Sequence, residues 1–307
     1  VKTKLIRHLF SKAVCVLFGA LVAALGLYLY QALAGPPLTP WHTWKPIAEF
    51  HTRAQDIHDF ATYLELEKQL FDELNTFRQR VEVPRISRYS PHNPLAHPVD
   101  GLAWNRTIEL KTHPVSRAVL LLHGMSDSPY SLRSLALTFQ RRGFHVLALR
   151  LPGHGTIPSS LTRFSWQDMA KAVRLAVSHQ GTSLQRGQPL FVVGYSNGAA
   201  LALDYALTSL VDDQLERPDG LILISPAIAV TPAARFSRLI IAAGHLPGLH
   251  ELEWLSRQPE YDPYKYNSFP VNAGYQVYLL STEVRQRLNT WRQQAGMGSF
   301  PPVLAIQ

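Results

Sequence analysis

The stretch Pro189-Leu-Phe-Val-Val-Gly-Tyr-Ser-Asn-Gly-Ala-Ala-Leu-Ala-Leu-Asp204 decides how this chain is read. An apolar run over residues 190–193 ends at Gly194, and Ser196 then stands between Gly194 and Gly198. Residues 199–210 follow as an Ala/Leu-rich segment without a helix breaker, so the order is strand, tight turn, helix. Gly-x-Ser-x-Gly in that setting is the elbow that pushes a serine hydroxyl out above a sheet edge. The glycines are needed because a side chain at either place would collide with the neighbouring strand or helix. The plainer alternative is a serine that only caps the helix starting near Asn197.

Working outward, residues 118–122, 145–149, 190–193 and 221–224 are short apolar strands, and residues 130–142, 165–180 and 197–210 have helical character. Continuous apolar strands alternating with helices imply a mostly parallel sheet covered on both faces, an α/β architecture. Ligand chemistry in such sheets sits at the carboxyl ends of the strands. There the sequence puts His123, Gly124 and Met125, then Leu151-Pro-Gly-His-Gly155 with His154, then Tyr195 and Ser196. Residues 104–111 alternate like a further strand, and the Asn105-Arg-Thr107 sequon is read as ordinary strand residues.

A neutral serine needs a base for its proton and donors for the oxyanion that forms. The Asn197 amide, just after Ser196, and the Met125 amide, after the strand carrying His123 and Gly124, are the donors expected. Together, His123-Gly-Met-Ser-Asp-Ser-Pro129, Leu151-Pro-Gly-His-Gly155 and Gly194-Tyr-Ser-Asn-Gly198 resemble the α/β-hydrolase superfamily. The branch resembled is that of monoacylglycerol lipases, lysophospholipases, small carboxylesterases and serine aminopeptidases. The resemblance spans residues 104–307 and implies an α/β-hydrolase fold with a cap inserted over residues 228–300. It implies Ser196 as nucleophile, Met125 and Asn197 as the oxyanion hole, Gly194 and Gly198 as elbow glycines, and no cofactor. His123, Gly124, His154 and Tyr195 are candidates for the pocket wall. The activity implied is cleavage of small-molecule carboxylic esters, with acyl chains favoured. Peptide or amide cleavage by the same serine, and a catalytically inactive scaffold, stay as alternatives.

The family order of the triad is serine, then Asp or Glu, then histidine. The acid is expected after the strand at residues 302–307 and the histidine after one more, so both are expected past Gln307, with the C-terminus cut short. His154, His245 and His250 are poor substitutes for the base, and residues 225–227 offer no carboxylate.

Residues 13–34 carry no charge, and at about 1.5 Å per residue they make a helix of roughly 33 Å, enough to cross a hydrocarbon core. Residues 1–12 carry Lys2, Lys4, Arg7 and Lys12, half of the formal charge of +8. The expectation is an uncleaved single-pass anchor in the cell membrane, N-terminus cytoplasmic, with the hydrolase domain outside the cytoplasm. The rival is a signal peptide cleaved after Ala32-Leu-Ala34, which would release the domain. Residues 35–103 read as a linker with an amphipathic helix at 54–81, whose stripe of Ile57, Phe60, Leu64, Leu70, Phe71, Leu74 and Phe77 packs on the domain that follows. A membrane-surface role is its alternative. The basic excess is interspersed with acids and has no interleaved aromatic stripe, which argues against nucleic acid. Cys15 is alone, no Cys/His cluster has metal spacing, and His-Glu-x-x-His is absent, so neither a disulfide nor a metal site is expected.

Overall fold

In the computed structural model the described residues are 2–53, 56–93, 101–229, 232–293 and 299–307. In chain order they form α1 (Lys2–Ala34), α2 (Pro40–Thr43), α3 (Phe60–Arg80), β1 (Ile108–Leu110), β2 (Ala118–Leu122), α4 (Arg133–Arg141), β3 (His145–Leu149) and α5 (Trp166–Ser183). There follow β4 (Leu190–Tyr195), α6 (Asn197–Ser209), β5 (Gly220–Ile224), α7 (Ser237–Gly244), β6 (Trp254–Ser256), β7 (Phe269–Pro270), α8 (Val271–Gln293) and β8 (Val303–Ile306).

Six strands make one sheet in the order β1-β3-β2-β4-β5-β8, in which only β1 runs antiparallel to its neighbour. Strand alternation assigns the two faces. Leu120, Leu122, Leu147, Leu149, Val192, Leu221 and Leu223 point into the larger core with α5, α6 and α8. Val119, Leu121, Val146, Ala148 and Val193 point the other way, where Ala136 of α4 and Trp104 close the smaller core. Both faces being covered explains why these strands read as unbroken apolar runs.

Three sequence expectations are corrected. Residues 104–111 pair with β3 only over Ile108–Leu110, because Trp104 is fully buried and the Arg106 amide closes a turn onto the Ala103 carbonyl. Asn105 therefore lies in a turn, where its side-chain amide donates to the Pro263 carbonyl at 2.8 Å. The amphipathic helix starts at Phe60, since the Asp59 carboxylate accepts from the Thr62 amide and caps it there, while Ala54 and Gln55 lie outside the described residues. Residues 271–293, expected within the cap, are the crossover helix α8, and its Ala273, Leu280 and Val284 belong to the main core. The insertion standing outside the core layers is thus the stretch before α8, carrying α7, β6 and β7.

Residues 40–93 are an integral layer of the domain. Phe60, Tyr63, Leu70, Phe71 and Leu74 of α3 are buried, as its helical stripe requires. Behind them Arg150, at the end of β3, is 1% exposed and lies between two carboxylates of this N-terminal segment. Its Nη2 reaches Glu49 at 3.2 Å and its Nε reaches Glu67 at 3.0 Å, while Nη1 donates to the His154 carbonyl at 3.0 Å. Glu67 also accepts the amide and hydroxyl of Thr107, at 2.9 and 2.8 Å.

A second clasp ties the same segment to α5. Asp168 accepts from the Thr52 amide at 2.8 Å, the Thr52 hydroxyl at 2.8 Å and the Ser165 amide at 2.8 Å, with His51 Nδ1 at 3.4 Å. Burial pushes the Asp168 carboxyl up, but the bonds from His51, Thr52 and Ser165 outweigh it and hold its pKa at about 2. The same hydrogen bond to Asp168 raises the pKa of His51. A depressed Asp stabilises the fold above its unfolded pKa and loses that contribution as pH falls through its folded value. A raised His stabilises below its unfolded pKa and loses the contribution as pH rises through its folded value. The stability gap between the protein and Asp168→Asn is therefore expected to peak between about pH 4 and 6.5 and to narrow on both sides. Melting points of the two proteins across pH test this, and a gap that does not change with pH contradicts the clasp.

The described helix α1 includes a span, Lys12–Tyr30, with mean hydropathy 2.3 and no burial inside the protein, long and apolar enough to cross a membrane. Its C-terminal end arrives beside the insertion: Tyr28, Gly35 and Pro36 share a cleft with residues 254–258.

Candidate active site

Among the described residues three that are not glycine have positive φ, and all are serines: Ser126 at 62°, Ser196 at 53° and Ser225 at 45°. They follow the carboxyl ends of β2, β4 and β5, which lie side by side in the sheet. Backbone held in sparsely populated regions persists only where the surroundings impose it, and it clusters at functional sites. Three strained turns on one edge mark that edge as the candidate site.

Ser196 is the centre of it. With φ 53° and ψ −113° it links β4 directly to α6, and its amide donates to the Ile224 carbonyl at 2.8 Å. Its own carbonyl is also tied down, accepting from the amides of Ala199, Ala200 and Ala227. The elbow is packed without slack. A Cβ on Gly194 would overlap the Ala199 backbone, and one on Gly198 would overlap the Leu122 carbonyl oxygen and lie 2.6 Å from that of His123. Gly198→Ala is accordingly expected to cost more than about 3 kcal/mol, seen as loss of soluble protein or a collapsed melting point. A Gly198→Ala protein of ordinary stability would contradict this packing.

That tight seat brings β2 and the elbow together. Gly124 sits against the Tyr195 ring and the Ser196 Cβ, so the turn 124–126 faces the serine. The amides of Met125 and Asn197 donate to no carbonyl or side chain among the described residues. Met125 is half-buried against the main core, and Asn197 is fully buried with its Nδ2 on the Met169 sulfur at 3.5 Å. The Ser196 side chain is half-buried, and its hydroxyl makes no hydrogen bond to any described residue. Tyr195 is 36% exposed beside it.

His123 and His154 do not line an open pocket as the sequence suggested; both are completely buried. His123 donates from Nδ1 to the Gly124 carbonyl at 2.9 Å and accepts the Leu151 amide on Nε2 at 3.1 Å, so its ring clamps the β2 turn to the β3 turn. His154 donates from Nδ1 to the Pro152 carbonyl at 2.9 Å and packs edge-on against His123. Burial drives the pKa of His123 well below the ordinary value and that of His154 down to about 4, so both rings are neutral at pH 7.

Tyr266 lies in the stretch read as the cap, and the sequence did not show what it bonds. Its amide donates to the Ser126 carbonyl at 2.8 Å, and its hydroxyl accepts the Thr156 amide at 2.8 Å and donates to the Gly153 carbonyl at 3.1 Å. It pins the insertion onto the β2 and β3 turns. No sequence signal marks it, because its partners lie more than 100 positions away.

The sheet order, the crossover helices and a serine at the strained β4–α6 turn define an α/β hydrolase. Residues 113–303 match the family described as Serine aminopeptidase, S33, and the chain belongs to that family. Among curated proteins it is similar to the thermostable monoacylglycerol lipase of Bacillus sp. (strain H-257), 28% identical over 174 residues, which are 56% of this chain and 64% of that one. The chain spans less than two thirds of the length of the curated relatives it matches. Among solved structures, one reported for the metagenome-derived lipolytic enzymes LipS and LipT aligns with a TM-score of 0.48 at 21% identity, covering 66% of this chain and 88% of that one. The monoacylglycerol lipase of Paleococcus ferrophilus aligns with a TM-score of 0.46 at 22% identity, covering 65% and 76%.

Proposed function

We propose that this chain is a membrane-anchored serine hydrolase that cleaves carboxylic esters of acyl chains, with Ser196 as nucleophile. The observation that carries the reading is the strained backbone of Ser196, held between a strand and a helix by contacts that exclude any side chain at Gly194 and Gly198. In this reading Ser196 Oγ bonds to the ester carbonyl carbon while its proton passes to the triad histidine, which returns it to the leaving alkoxide. The charge that builds on the carbonyl oxygen is taken by the amides of Asn197 and Met125, each such donor being worth about 3 kcal/mol of barrier. Collapse expels the alcohol and leaves an acyl-serine, which water hydrolyses.

In this reading the triad acid and histidine would follow β8, which runs parallel to β5 with Ile306 opposite Ile224 and so leads to the edge where Ser225 and Ser196 turn. An acyl substrate is supported by the similarity to a monoacylglycerol lipase and by the insertion beside the end of α1, where Phe236, Leu239, Leu246 and Leu255 are exposed. With α1 as an uncleaved anchor, that apolar surface would lie near the bilayer from which such a substrate comes.

The Ser196 hydroxyl, without a partner among the described residues, favours a second reading, a hydrolase fold kept as a binding scaffold. Treatment with a fluorophosphonate separates the two. Covalent capture mapped by mass spectrometry to Ser196 supports the enzyme, whereas folded protein that stays unlabelled supports the scaffold. Matched ester and amide substrates then distinguish esterase from peptidase action.

A further inference from the structure

A cavity of about 170 Å³ opens between α3, the turn at 102–106, residues 155–156 and the insertion at 263–264. Most of its wall comes from residues N-terminal to 113, outside the stretch that matches the hydrolase family. Three guanidinium groups line it, those of Arg78, Arg88 and Arg106, together with the carboxamides of Asn75 and Asn105, and no described lining residue is acidic.

Each arginine is held by neutral groups. Arg78 donates to the carbonyls of Tyr89 and Ser90, at 3.3 and 3.4 Å. Arg88, 6% exposed, donates to the Lys265 carbonyl at 3.1 Å and lies over the Tyr266 ring. Arg106 lies over the Phe71 ring at 4.2 Å. None of the three forms an ion pair with a described carboxylate. Glu260, whose charge Arg88 feels, turns its oxygens to the amides of Asn267 and Ser268. The cost of crowding these cations shows at Arg78, whose pKa is lowered by burial and by the nearby Arg88.

Guanidinium groups without an ion-paired carboxylate in a shared cavity carry the positive charge and forked donors that an oxyanion takes. We propose that this cavity is an anion-binding site that takes a phosphoryl group through Arg78, Arg88 and Arg106, separate from the serine site. The group could belong to a soluble phosphate ester or to a phospholipid headgroup, and the shared chemistry is the phosphoryl dianion or diester.

The test is thermal unfolding of the full chain in detergent with inorganic phosphate, against chloride at equal ionic strength. At a ligand concentration about tenfold above Kd the midpoint is expected to rise by about 2–4 °C. Arg106→Gln is expected to abolish the rise and Arg106→Lys to keep only part of it. Because the Arg106 side chain rests on a ring face and bonds nothing else described, neither change should unfold the protein, and circular dichroism checks that. Glycerol phosphate and short-chain phosphatidic acid, run in parallel, identify the source by which of them acts at the lower concentration. Absence of any shift with all three, or an equal shift in Arg106→Gln, overturns the proposal.

Discussion

Ser196→Ala is expected to lower ester hydrolysis by at least about three orders of magnitude while the folded protein persists. The hydroxyl bonds to no described residue, so its removal takes nothing from the fold. The strain also remains, because alanine keeps the Cβ that makes φ 53° and ψ −113° costly. Ser196→Gly separates the two effects. It too should be inactive, yet more stable than either the unsubstituted protein or the alanine variant by roughly 1–3 kcal/mol, since glycine adopts that backbone at little cost. Denaturation midpoints of the three proteins, read beside their turnover of a short-chain ester, give the comparison. Equal stability of the glycine and alanine variants would mean that the elbow stores no strain, and residual turnover in Ser196→Ala would move the nucleophile elsewhere.

Arg150→Met is expected to destabilise the protein by about 3–5 kcal/mol. The substitution roughly keeps the volume but leaves Glu49 and Glu67, 1% and 5% exposed, as two buried carboxylates without their cation. Burial alone opposes the charge on Arg150, and the two glutamates more than offset it, which raises its pKa. Neutralising both acids in the same chain, by Glu49→Gln and Glu67→Gln, should recover a large part of the loss, because the main penalty is uncompensated charge. Urea denaturation of the single and triple variants measures it. If the single variant loses less than about 1 kcal/mol, residues 40–93 are not clamped to the sheet by this network.

Arg150 and Ser196 also show how differently the two features could be read. The elbow was legible because its requirements are local: an apolar strand, two glycines and a helix former run within sixteen consecutive residues. The same holds for the parallel strands and for the apolar α1. The clasp of Glu49, Glu67 and Arg150 was not legible, since nothing near Arg150 in sequence says that its charge will be matched from 83 and 101 positions away. The role of α8 was hidden for a similar reason. Its aromatic and polar residues obscure the stripe of Ala273, Leu280 and Val284, and only contact with α6 shows that it closes the core.

The amino-acid sequence by itself determined α1 and the alternating strands and helices from β2 to β5 with their order, because periodicity and turn chemistry act over a few residues. It also determined that Ser196 would stand on the carboxyl edge of a parallel sheet. Tertiary structure alone decided that His123 and His154 would be buried clamps, that the N-terminal segment would be locked to β3, and that three arginines would share one cavity. Those outcomes depend on burial and on charges meeting across long separations, which no local pattern encodes.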